Sequence, residues 1–132
     1  MVINFNPKYI PGDIVYNHKK EIIRITSSYL KGTKLFYYRD GEYGWIREDA
    51  IKPTPLTPEI LKKNGWRTQN RWYYYLDVAE GFISYIGIDF KHKSNKGHLY
   101  VEVDGNNMVE IQYCHELQHL LFGLGLNSEI EV

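Results

Sequence analysis

The chain has 132 residues, the length of one compact domain or of two very small subdomains. Its 16 basic and 16 acidic residues cancel, so no net field draws the molecule to nucleic acid or to an anionic membrane. The single cysteine, Cys114, excludes an internal disulfide. No stretch has the pattern of a signal peptide or the length of a membrane span. We therefore expect a cytoplasmic protein that contacts no membrane.

The chain up to residue 52 has the alternation and the turn residues of short β-strands. These signals predict strands over residues 13–16, 21–26 and 35–39, and the dipeptide Asp40-Gly41 then favours a tight hairpin. Four or five strands of this length bury their faces poorly as a flat sheet, so we expect them to curl into a small barrel.

The sequence Asp-Gly-Glu-Tyr-Gly-Trp-Ile at positions 40–46, followed by Ala-Ile-Lys at 50–52, resembles the late hairpin and last strand of SH3-like barrels. Such barrels have many roles, so the resemblance implies a fold more than a function. It implies an aromatic groove that accepts an extended peptide, formed by Tyr37, Tyr38, Tyr43 and Trp45. The alternative is that Trp45 fills the interior of the barrel.

Three prolines between residues 53 and 58 stiffen the backbone and divide the chain into predicted subdomains, 1–53 and 54–132. Thr57 before Pro58 is typical of a helix start, and Asn64-Gly65 is typical of a helix end. A short helix is therefore expected over Pro58–Lys63.

The second subdomain is predicted to be an antiparallel meander with one packed helix. Its patterns indicate strands over 71–77, 82–90, 99–103 and 108–111, a helix ending near residue 122 and an edge strand over 129–132. The expected fold class is α+β, an N-terminal small SH3-like β-barrel followed by this meander and its C-terminal helix.

The sequence His-Glu-Leu-Gln-His at positions 115–119 has the spacing of a zinc-peptidase motif. Two histidines one helical turn apart can bind one zinc ion, and the glutamate between them can act as a base toward bound water. A minimal zinc-dependent hydrolase would use Glu116 as the base, with three ligands: His115, His119 and Glu129.

The rotation of this helix favours a different interpretation. At about 100° per residue, the leucines form one stripe and the two histidines point to nearly the opposite side. We predict that the leucines face the sheet, that Cys114 beside them is a buried and inert thiol, and that the histidine side is exposed. No cofactor and no catalytic residue are then expected, and the histidine side becomes a candidate contact surface made of His115, Gln118, His119 and Phe122.

Stretches at 12–17, 55–66 and 111–119, with Leu-Gly-Leu at 124–126 and Glu-Ile at 129–130, resemble small uncharacterised proteins of Bacteroides-type gut bacteria and their phages. In that group the middle motif usually ends in Gly-Phe, where this chain has Trp66. Members with His-Gln-Leu-Gln-Asn in the helix lack the base and the second ligand. The resemblance implies a phage or prophage setting and argues against peptidase chemistry.

These observations together predict a non-enzymatic protein-binding module of phage- or prophage-related origin, with a protein as its partner. The zinc hydrolase is the alternative from another class. A second alternative is nucleic-acid binding through the hairpin of residues 91–96, whose lysines Lys91, Lys93 and Lys96 could contact phosphates while Tyr85 or Tyr100 stacks on a base. The oligomeric state and the identity of the partner stay open.

Overall fold

The computed structural model describes residues 8–32, 34–40, 45–78 and 81–132. Two five-stranded antiparallel sheets follow one another along the chain, and a helix packs on the second, so the α+β class is confirmed. The division into subdomains 1–53 and 54–132 stays a prediction, although the strands of the first sheet end at Pro53.

Four consecutive strands of the first sheet form a meander. The chain then returns, and a fifth strand pairs with the first. The strand order is β4-β3-β2-β1-β5, and within the described residues no ladder joins β4 to β5, so the pairing does not close the predicted barrel. A β-bulge between Ile25 and Ser27 lets the second strand run on to Lys31, five residues beyond the predicted end. The strands are β1 (Ile14–Tyr16), β2 (Ile22–Lys31), β3 (Lys34–Arg39), β4 (Trp45–Arg47) and β5 (Lys52–Pro53).

The second sheet is the predicted meander, in the order β10-β9-β8-β7-β6. The strand expected over 82–90 begins only at Tyr85, and Phe82 is fully exposed rather than part of the core. The sequence did not predict the short first strand of this sheet, Arg67–Thr68, because it pairs over only two residues. The strands are β6 (Arg67–Thr68), β7 (Tyr73–Asp77), β8 (Tyr85–Asp89), β9 (Leu99–Val103) and β10 (Asn106–Ile111).

The two helices lie where the sequence predicts them. Helix α1 (Pro58–Lys63) begins at Thr57, whose hydroxyl accepts a hydrogen bond from the Ile60 N–H at 3.3 Å. Helix α2 (Cys114–Gly123) follows the last strand of the second sheet. No helix in the described part of the chain is long and apolar enough to cross a membrane.

The C-terminal segment 129–132 does not form the predicted edge strand. Side chains at the end of α1 hold it instead, because the Asn64 carboxamide bonds both the N–H and the C=O of Glu131 at 2.8 and 2.7 Å. The Lys63 ammonium donates to the carbonyl of Val132 at 2.9 Å. Side-chain contacts of this kind have no periodic signal in the sequence, which is why the prediction was wrong.

Two apolar clusters fill the molecule. The larger lies between the second sheet and α2, where Leu117 and Leu121 are buried as the leucine stripe predicts. The smaller lies under the first sheet and includes Tyr9, Val15 and Tyr37. Polar side chains of α2 face the segment that leads into β1.

Candidate functional site

The histidine side of α2 is covered by the chain itself, contrary to the predicted exposure. His115 is 5% exposed and Gln118 is 3% exposed, because the segment leading into β1 crosses this side of the helix. A periodicity argument cannot find this contact, since the two segments are more than a hundred residues apart in sequence. These two residues therefore cannot form part of an exposed contact surface.

The Gln118 carboxamide ties three chain segments together. Its oxygen accepts from the Ile14 N–H at 3.0 Å. Its nitrogen donates to the carbonyls of Gly12 at 2.8 Å and Ser128 at 3.1 Å. Three of the four hydrogen bonds that a glutamine side chain can make are thus used in a buried site. Gln118 thus links α2 to the segment that leads into β1 and to the segment that follows α2.

His119 pairs with a buried carboxylate in the segment that leads into β1. Its Nε2 lies 2.8 Å from Oδ2 of Asp13, which also accepts from the Ile10 N–H at 2.8 Å. Burial raises the pKa of Asp13, while the hydrogen bonds from Ile10 and His119 oppose that rise. This contact occupies Nε2 of His119, so a zinc ion bound through that nitrogen would have to displace Asp13.

His115 is enclosed by aromatic rings. Tyr9 meets its ring edge-on at a centroid distance of 5.1 Å, and Tyr113 stacks on it at 5.8 Å. Its Nδ1 is buried and has no hydrogen-bond partner among the described residues. Burial lowers the pKa of His115 to about 4, so the imidazole is neutral at neutral pH.

The carboxylate of Glu116 points back along its own helix. Its Oε1 accepts from the backbone N–H groups of Gln112 and Tyr113, both at 3.0 Å, which satisfies donors that a helix start leaves unpaired. Glu116 thus stabilises the first turn of α2. A hydrolytic base would instead have to face water on a metal.

The proposed zinc ligands are not brought together. Glu129 is exposed, and the described residues contain no group of three histidine, cysteine or acidic side chains placed to hold a metal ion. Cys114 next to the pair is fully buried, as predicted, and burial raises the pKa of its thiol to about 12. The sequence motif is real, but the tertiary contacts use its members for packing and pairing.

The predicted aromatic groove divides between the two faces of the first sheet. Tyr37 is buried, and its hydroxyl donates to Glu48 and accepts from the backbone N–H of Lys8, so its assignment to a groove was wrong. Tyr43 lies outside the described residues. Tyr38 and Trp45 lie on the opposite, solvent side, each 40% exposed.

Two further rings, which the sequence did not single out, lie beside Tyr38 and Trp45. Cross-strand pairing places Tyr29 opposite Phe36, and Tyr38 opposite Trp45. The Trp45 ring centroid is 5.4 Å from that of Tyr29 and 3.9 Å from that of Phe36. We call this surface of the first sheet the aromatic face: Tyr29, Phe36, Tyr38 and Trp45.

Period-2 alternation along a longer second strand would have revealed this face. Because the strand was predicted to end at residue 26, Tyr29 was not aligned with the following strand. Extending it to Lys31, as the structure does, places residues 27, 29 and 31 on one side.

Phe122 is the most exposed residue of the predicted histidine surface, at 69%. It borders a cleft of about 260 Å³ that Ile10 and Pro11 also line. His119 reaches the same cleft and is partly exposed. Of the contact surface predicted on α2, only Phe122 and part of His119 are open to a partner.

The lysine-rich hairpin contacts a ring other than the two predicted. The Lys91 ammonium lies 5.5 Å from the ring centroid of Trp72, and the His92 ring meets Trp72 edge-on at 5.3 Å. Tyr85 lies at the far end of its strand from this hairpin, whereas Tyr100 pairs with Asp89 beside it. Trp72, not Tyr85, is therefore the ring next to the lysines.

Comparison of the chain with protein-family models, with curated proteins and with solved structures finds no match. The function therefore has to be inferred from the geometry described above.

Replacing Gln118 by alanine should lower the free energy of unfolding by about 2–4 kcal/mol, because it leaves one buried N–H and two carbonyls without a partner. Gln112→Ala is the matched control, since Gln112 is exposed, and should change stability by less than about 0.5 kcal/mol. Urea unfolding followed by circular dichroism measures both. Equal stability of the two variants would contradict the role of Gln118 as a link.

The buried neutral His115 should make the protein less stable in mild acid. The unfolded chain binds a proton near pH 6.5 but the folded one only near pH 4, so stability is full above 6.5 and falls as the pH drops between these values. At about 1.4 kcal/mol per pKa unit the loss is about 3 kcal/mol. The raised pKa of Asp13 has the opposite effect on stability. The folded state binds this proton more readily than the unfolded chain does, which favours folding as the pH falls.

Urea midpoints between pH 8 and pH 4 measure this dependence. The variant His115→Leu should flatten the curve between pH 6.5 and pH 4, whereas His18→Gln, in an exposed turn, should leave its shape unchanged. A wild-type curve that His115→Leu does not alter would show that other groups cause the acid sensitivity.

Protein purified without added zinc should hold well under one zinc ion per chain, since the described residues bring no three ligands together and Glu116 caps its helix. Elemental analysis by mass spectrometry measures this content. One tightly held zinc per chain, lost in His119→Ala, would instead favour the hydrolase.

Proposed function

We propose that the protein is a non-enzymatic protein-binding module of phage- or prophage-related origin, and that its contact surface is the aromatic face of the first sheet. The observation that carries this proposal is the exposure of three neighbouring rings: Tyr29 at 46% and Tyr38 and Trp45 at 40% each. A contiguous apolar surface left in water marks an interaction site more often than single exposed residues do.

The residue types favour a protein as the partner. Tyrosine and tryptophan are enriched at protein interfaces, and they bury large areas with few rotatable bonds. Edge-on contacts hold Trp45 against Tyr29, so the surface is organised before a partner arrives. A preorganised surface loses less entropy on binding.

We further propose that the first sheet is an SH3-like barrel in its arrangement. The return of β5 to pair with β1, with Val15 opposite Pro53 and Tyr16 opposite Lys52, supports this because it curls the meander back on itself. The aromatic face would then use the outside of the late hairpin, which is the region that resembles SH3-like barrels in sequence.

The second sheet also carries aromatic rings on its outer side, but these rings already make contacts within the chain. Tyr73 covers Gly87, where an added Cβ would lie 1.9 Å from the Tyr73 hydroxyl, and this hydroxyl donates to Glu102 at 2.8 Å. The rings of Tyr75, Tyr85 and Tyr100 are half-buried as well. These contacts leave less apolar area for a partner than the aromatic face does.

Affinity capture from a lysate of a Bacteroides-type gut bacterium tests the proposal. Immobilised wild-type protein should retain a partner in stoichiometric amount, and Trp45→Ala and Tyr38→Ala should each reduce its recovery by roughly tenfold or more. Met108→Ala, which removes an even more exposed apolar side chain from β10, should retain the partner.

Circular dichroism of each variant confirms that the fold is kept. Capture that all three variants retain equally, or no captured partner at all, would argue against this surface as the binding site. Phe122→Ala distinguishes a contribution from the rim of α2, since Phe122 lies on a different part of the molecule.

A further inference from the structure

The aromatic face is bordered by positive charge. Lys31 and Lys34 lie directly opposite each other in neighbouring strands, and Arg47 follows Trp45 by two residues on the same side. The Lys31 ammonium lies 5.5 Å from the ring centroid of Trp45. Two lysines placed opposite one another repel, which an anionic group between them would relieve.

Within the described residues, the acidic side chain that pairs with this border is Asp49, and it leaves most of the positive charge available. Asp49 contacts Arg47 at 2.7 Å, but both side chains are at least half exposed, and surface pairs of this kind contribute little to stability. A guanidinium also has five N–H donors, of which this contact uses one. The border therefore complements a negatively charged partner.

The strand beside this border is an edge of the sheet. Within the described residues β4 pairs only with β3, through Arg47, Ile46 and Trp45. The other side of a strand at an edge has backbone donors and acceptors that a further strand can use. Side chains of an added strand would alternate, so every second one would lie over the aromatic face.

From these features, and resting on the proposed function, we infer that the partner presents an extended acidic peptide that adds as a strand along β4. Its alternate side chains are apolar against Trp45 and acidic against Lys31, Lys34 and Arg47.

The ring geometry favours a peptide over single-stranded nucleic acid. Trp45 stands edge-on to Tyr29 at 81° and tilted to Phe36 at 56°, so these rings form no parallel platform for stacked bases. The chain also has no net positive charge, which nonspecific binding to phosphates depends on. Backbone pairing at an edge strand, by contrast, is a property of peptides.

Selection from a displayed library of random peptides of about ten residues tests the inference on the immobilised full chain. The enriched peptides should carry an apolar residue and an aspartate or glutamate two positions apart, so that both side chains lie on the same side of the added strand. The affinity of one labelled, enriched peptide is then measured by fluorescence polarisation for each variant and at two salt concentrations.

The charge-reversal variant Lys34→Glu/Arg47→Glu should weaken binding of that peptide by roughly tenfold or more, as should Trp45→Ala. The matched control, Lys52→Glu, reverses an exposed lysine in β5 at the other edge of the sheet and should keep the affinity. Higher salt should weaken binding to the wild type and have less effect on the charge-reversal variant.

The outcomes separate the two proposals. Binding that needs Trp45 but is unaffected by charge reversal, or enrichment of peptides without acidic residues, would overturn the inference and leave the binding surface in place. A selection whose peptides bind Trp45→Ala as well as the wild type would overturn both. A labelled oligothymidylate that binds through Trp45 when no peptide does would identify nucleic acid as the partner class instead.

Discussion

The position of α2 against the segment that leads into β1 depends on the buried carboxamide of Gln118. A side chain with both a donor and an acceptor is needed there, since it meets the N–H of Ile14 and two carbonyls, those of Gly12 and Ser128. An apolar residue would leave these backbone groups without partners, at a cost comparable to a lost hydrogen bond for each. Specific pairing of polar groups, rather than apolar packing alone, thus contributes to how α2 lies against β1 and the segment before it.

This contact explains why a zinc-peptidase motif occurs in a helix with other roles. Each polar member of the motif has a partner within the chain or a packed position: Glu116 caps the helix, His119 pairs with Asp13, and His115 packs between tyrosine rings. The spacing of one helical turn is what a zinc ion requires, but it also places two side chains side by side against any neighbouring segment. Spacing by itself cannot distinguish these uses.

The position of the proposed contact surface follows from the same arrangement. Because the histidine side of α2 is covered by the segment leading into β1, most of it is closed to a partner. The first sheet buries Tyr37 on one side and therefore presents Tyr38 and Phe36 on the other, since neighbouring residues of a strand point to opposite faces. The apolar cluster under the first sheet covers only one of its faces, and the rings of the other face lie together next to an open edge strand.

Local signals in the sequence were sufficient for the α+β class, the meander of the second sheet, both helices and the buried Cys114. These features depend on period, turn residues and helix caps, which act over a few residues, as Thr57 and Pro58 do for α1. Only the tertiary structure decided that His115 and Gln118 are buried and that the C-terminal segment is held by Asn64 rather than by a ladder. Those outcomes arise from contacts between segments distant in the chain, whose pairing depends on the geometry of the whole fold and has no periodic trace in the sequence.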